Sequence, residues 1–151
     1  MRINEAIAIS GNTSAEYTSM KKLFRTKNLL SEQFLSPSFI ERDGCVFLAC
    51  QFSEESYQRC LAIHKDSPSI RSAVEESMNH VCVNELFLNP PAIVTARLAR
   101  EACETICDVW RLKLQLDFPN RRFDVHFSLD DPLEISELSF HQVNSGQNRE
   151  I

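Results

Sequence analysis

Apolar residues recur every three or four positions in some stretches of this chain and every second position in others, and the two periods divide it into helices and strands. Thr13-Ser14-Ala15-Glu16 reads as a capping box, with a helix from Ser14 to about Leu29 whose stripe is Tyr17, Met20, Leu23 and Phe24. Ser53 is placed to cap a second helix through Tyr57, Cys60, Leu61 and His64, with Glu54 and Glu55 near its positive end. Ser67-Pro68 opens a third, with Ile70, Ala73, Val74 and Met78 as its inner stripe. The longest amphipathic segment runs from Pro90 to Leu116. It carries Ala96, Ala99, Cys103, Ile106, Trp110 and Leu114 on one line, widened by Ala102 and Val109.

Period two marks the strands. Asp43-Gly44 suits a two-residue hairpin loop, so Phe39–Arg42 should pair with the run from Cys45 to Phe52, Ile40 facing Phe47 and Phe39 facing Leu48. Bulky residues on both faces predict strands covered on both sides. Phe123, Val125 and Phe127 alternate in a strand from Arg122 to Ser128, and Leu133–His141 supplies its partner. There Leu133 and Ile135 share one parity and Leu138 and Phe140 the other, a phase change that a bulge between Ser136 and Glu137 would produce. His80–Leu88 is ambiguous, extended near Val81 and helical toward Leu86-Phe87-Leu88. Ile3–Ser10 is ambiguous between a strand and a helical turn, and Asn89-Pro90-Pro91 resets the chain.

Tight turns rather than crossover helices join neighbouring strands, which argues against a parallel sheet. The predicted fold class is therefore α+β: a single domain over residues 1–143, an antiparallel or mixed sheet of two β-hairpins with about four helices packed on it, and a polar, fraying tail from 144 to 151. With 151 residues, 43% of them hydrophobic, and ten Phe, one core suffices. No apolar run would span a bilayer and the first residues lack a signal-peptide core, so the expected location is cytoplasmic, with no membrane partner. A net charge of −5 opposes binding to nucleic acid. The local exception, Lys21, Lys22, Arg25 and Lys27, reads as a solvated helix face.

Six cysteines form no Cys-x-x-Cys pair, and most read as reduced, buried packing groups. Cys103 and Cys107 are one helical turn apart, and His80 with Cys82 would share a strand face, so these four are the candidate metal ligands. Packing explains them more simply, and no metal or cofactor is expected. His126 and His141 point to one face of the last strand pair with Asp124 beside them, a group suited to general acid and base work or to metal binding. The same alternation fits a solvated sheet face, and Glu75 and Glu76 fit a wet helix face. Without a nucleophile and base at recognisable spacing, the sequence favours a small interaction or accessory protein without catalytic activity. Its expected partner is a second copy, through the open side of the sheet or the Ala-rich face of the long helix, or another protein. The alternative is a small hydrolase or metal-dependent enzyme using the His/Asp group.

Overall fold

The computed structural model of the chain describes residues 30–88, 95–130 and 136–143. Among them lie four helices, α1 (Glu32–Leu35), α2 (Glu54–His64), α3 (Ile70–Met78) and α4 (Ala96–Asp117), and five short strands. These are β1 (Phe39–Arg42), β2 (Cys45–Leu48), β3 (Val81–Cys82), β4 (Phe123–Ser128) and β5 (Glu137–Gln142). They form two antiparallel sheets, β1-β2 and β3-β5-β4, in an α+β arrangement. No helix among the described residues is long and apolar enough to cross a membrane. The predicted first helix, its basic face and the segment before it lie outside the described residues, as do Asn89-Pro90-Pro91, Leu133–Ile135 and the tail. At the position of the expected bulge the β4–β5 pairing ends with Glu137 opposite Ser128, and Ser136 O accepts from Val83 N at 2.9 Å instead.

The β1–β2 hairpin has the expected register, Phe39 opposite Leu48 and Ile40 opposite Phe47. Asp43 at φ 54° and Gly44 at φ 83° give the turn its left-handed residues, a conformation Gly adopts without a Cβ penalty. β2 ends at Leu48, earlier than its apolar run, because Ala49–Gln51 closes into a 3-10 turn. Every β2 side chain is buried, and alternate residues enter different cores. Cys45 and Phe47 join Tyr57 of α2 and Val74 and Met78 of α3. Val46 and Leu48 join the main core around α4.

Ser53 Oγ accepts from Ser56 N at 3.1 Å and starts α2 as expected. Ser67-Pro68 does not open α3. Those residues form a turn in which Ser67 Oγ accepts from Ser69 N, and the helix begins at Ile70. α4 begins at Ala96, where Thr95 Oγ1 accepts from Leu98 N at 3.1 Å. The ambiguous 80–88 stretch is both things in turn, strand at Val81–Cys82 and 3-10 helix at Val83–Leu86. Phe87 then bridges to Leu30.

The sheets form a middle layer. On one side α4 packs Ala99, Cys103, Ile106, Trp110 and Leu114 against Val125, Leu138 and Phe140. Trp110 donates from Nε1 to Phe34 O at 3.0 Å and meets the Phe140 ring edge-on at 5.8 Å, so the one indole is satisfied at both its polar and apolar ends. Ala99 and Ala102 are fully covered within the chain, while Ala96 at the start of the same stripe is exposed. On the other side of the sheets lie α2 and α3.

α3 does more than cover apolar surface. The side chains of Ser72, Glu75 and Asn79, spaced like an apolar stripe, turn toward strand backbone, while Glu76 accepts through its main-chain O from Ser139 Oγ. Glu75 is completely buried, contrary to the expectation of a wet face. Its Oε2 accepts from Val46 N at 2.7 Å and its Oε1 from Gln142 N at 2.7 Å, so one carboxylate ties the edge of β2 to β5. Asn79 repeats the link one turn later. Its Oδ1 accepts from Leu48 N, and its Nδ2 donates to Val46 O at 3.0 Å and Phe140 O at 3.3 Å. Two side chains thus satisfy backbone groups that a directly paired strand would otherwise satisfy.

Candidate functional site

The register of β4 and β5 sets Asp124 opposite His141 and His126 opposite Ser139, and the period of two puts Asp124, His126 and His141 on the face away from α4. That face is solvated only in part: Asp124 and Ser128 are exposed, as the alternation suggests, but α3 lies beside them, its backbone held by a hydrogen bond from Ser139 Oγ to Glu76 O at 2.8 Å. The contact brings the Glu76 carboxylate between the two imidazoles, 3.1 Å from His126 Nε2 and 2.9 Å from His141 Nδ1.

Asp124 closes the figure on the far side. Its Oδ1 lies 3.6 Å from His126 Nδ1 and its Oδ2 3.9 Å from His141 Nε2. The four side chains therefore form a ring in which acid and imidazole alternate, with ring centroids of the histidines 5.9 Å apart. Side-chain exposures of 43% for Glu76, 41% for His126 and 24% for His141 leave the group reachable from solvent. One ring position is unsatisfied: His126 Nδ1 is shut from water without a hydrogen bond among the described residues.

One ligand atom from each of Glu76, His126 and His141 falls within 4.8 Å of the others. An ion bound at its usual 2.0–2.2 Å would set such atoms about 3.3–3.6 Å apart, a contraction of roughly an ångström that side-chain rotation can supply. Two imidazoles and one carboxylate suit first-row divalent metals, and three protein ligands leave positions open for water or another ligand.

The four sulfur and nitrogen ligands picked from spacing are not part of this group. Cys103 and Cys107 are sealed in the core on α4, where burial pushes both thiols up to about 12 and disfavours the thiolate a metal needs. His80 pairs through Nε2 with Glu137, and Cys82, on β3, has its thiol raised chiefly by burial. All six cysteines are free, three of them buried.

Buried beside the ring, Glu75 has its carboxyl pushed up by burial, an effect opposed by its hydrogen bonds from Gln142 and Val46 and by nearby His141. Glu75 belongs to the seam and Glu76 to the ring, so neighbouring acids on one helix have separate tasks. The wet-face reading missed Glu76. Its signal was the spacing of Ser72, Glu75, Glu76 and Asn79, a polar stripe at helical period adjoining the apolar one. Compared with known protein families, characterised proteins and solved structures, the chain matches none of them.

Proposed function

We propose that the protein works by binding a divalent transition-metal ion through Glu76 Oε, His126 Nε2 and His141 Nδ1. This is the metal-dependent alternative to a purely non-catalytic interaction role, and the ring of alternating acids and imidazoles is the observation that carries it. A solvated sheet face would scatter such groups. Here three ligand atoms from three elements, separated by 50 and 65 positions from helix to strands, converge on a reachable point. Asp124 has the complementary task. In the bound state each imidazole gives its inner nitrogen to the ion and must carry its proton on the outer one, toward Asp124. A carboxylate there fixes the tautomer and ring orientation, so Asp124→Asn should weaken metal binding about 10–100-fold. The open positions of the ion would give it Lewis-acid chemistry toward water or a bound oxygen ligand.

Calorimetric titration of the metal-free protein with Zn2+, alongside Co2+ whose absorption reports its ligands, tests the reading. One ion per chain should bind, and His126→Ala and His141→Ala should each remove most of the affinity while the far-ultraviolet dichroism stays native. His80→Ala and Cys82→Ala should leave it unchanged. Binding that survives both histidine substitutions, or is lost with His80 or Cys82, would place the metal elsewhere.

A further inference from the structure

A second feature lies on the α4 side of β4, away from the histidines. The C-terminal half of α4, the 119–122 turn and the start of β4 enclose an open groove of about 410 Å³. Its polar wall is Arg111, Gln115, Asn120, Arg121 and Arg122, with no acid in the lining, and its apolar surface comes from exposed Pro119 and half-buried Phe123, over a floor of buried Leu114 and Val125. From these residues we infer that the groove binds a small ligand bearing an oxyanion, carboxylate or phosphate, on an apolar body.

Two of the guanidiniums are held in place before any ligand arrives. Arg111 donates from Nη1 to Asp108 Oδ1 at 2.9 Å and from Nη2 to Val125 O at 2.7 Å. Arg121 is held by Glu41 at 2.5 Å and by Gly44 O at 3.4 Å, with its guanidinium 5.3 Å from the Phe118 ring centre. A guanidinium carries five N–H donors, so each retains donors for a further acceptor. The anchoring lowers the rotamer entropy that binding would otherwise have to overcome. Arg122 is exposed and makes no side-chain ion pair among the described residues, which leaves one whole fork for the ligand. Planar forks match carboxylate and phosphate oxygens in pairs, which gives an anion both attraction and orientation. The neighbouring Pro119 and Phe123 present carbon surface, so a bare inorganic ion would use only part of what the groove offers.

Amide NMR titrations with phenyl phosphate, benzoate, inorganic phosphate and uncharged phenol test this directly. Phenyl phosphate or benzoate should shift Arg111, Gln115 and Asn120–Val125 saturably at low salt, with dissociation constants of about 1 mM or tighter. Inorganic phosphate and phenol should each bind at least about fivefold more weakly than the better of the two, since each supplies only one half of the recognition. Whether phenyl phosphate or benzoate is stronger assigns the oxyanion. Arg122→Gln, at an exposed position that anchors nothing, should raise the dissociation constant about fivefold with the spectrum otherwise native. Non-saturating shifts with both aromatic anions, equal binding of inorganic phosphate, or an unchanged affinity in Arg122→Gln would each overturn the inference.

Discussion

Asn79 gives the sharpest test of the seam that joins the two sheets. Its amide donates to Val46 O and Phe140 O and accepts from Leu48 N, all in the buried interior. Asn79→Ala strips partners from three backbone groups. An unsatisfied buried group costs about 1–3 kcal/mol, and partial relaxation should bring the sum to roughly 3–5 kcal/mol. That is a large share of the roughly 5–15 kcal/mol by which domains of this kind are stable. Asn79→Asp separates hydrogen bonding from shape. It fills the same space but turns an oxygen toward two carbonyls and adds a negative charge near Glu75, so at neutral pH it should be at least as destabilising as Ala. Acid should restore part of the loss, because a protonated Asp can again donate. Urea unfolding followed by fluorescence of the single Trp110, whose indole is buried in the main core, reads both variants. The Ala variant should move the midpoint down by about 2 M, given a slope near 2 kcal/mol/M. An Asn79→Asp protein within about 0.5 kcal/mol of wild type at neutral pH would refute the hydrogen-bonded seam.

Glu75→Gln should destabilise by about 1–3 kcal/mol, because an amide puts an N–H where the carboxylate accepted one. Burial raises the folded pKa of Glu75, so the folded state holds its proton more tightly. This group's contribution is then fully present below its ordinary value near 4.5 and lost as pH rises through the raised one. The destabilisation by Gln, compared by urea melts across that range, should therefore be greatest in acid and shrink as pH rises. Burial pushes Cys45, Cys103 and Cys107 up to about 12, whereas Cys50 is exposed. Alkylation of the native protein followed by mass mapping should label Cys50 first and those three only on unfolding. Gly44→Ala should cost about 1–2 kcal/mol by thermal melting, since a left-handed turn strains any side chain. The new Cβ would also meet the Arg71 guanidinium at 3.1 Å.

What could be read from the sequence was local. The Asp43-Gly44 loop announces its own geometry, and that geometry fixes which apolar residues of β1 and β2 oppose each other. The stripe of α4 is legible for the same reason, since residues three and four apart must share a face. Parity alone placed His126, His141 and Asp124 on a common side. The seam was not legible, because its meaning depends on contacts 29 and 67 positions away, from Glu75 to Val46 and to Gln142. A pattern that sorts residues into oily and wet counts Glu75 and Asn79 as wet. Strand edges left without a neighbouring strand require polar partners in the interior, and that demand exists only once the sheets are assembled. Glu76 was missed by the same logic. The helix that carries it crosses the histidine face only because the residue before it is fastened to β2 and β5. Spacing likewise suggested Cys103 and Cys107 as ligands, but the inward face of α4 is where thiols pack as small apolar groups.

The metal-site assignment is tested most directly by following the ring signals of His126 and His141 in the NMR spectrum during titration with Zn2+. Both rings should change together and stop changing at one equivalent, with the signals of His64 and His80 unmoved and the response lost in Glu76→Gln. Responses at only one of the two rings, or equal responses at all four histidines that never saturate, would contradict a shared ion.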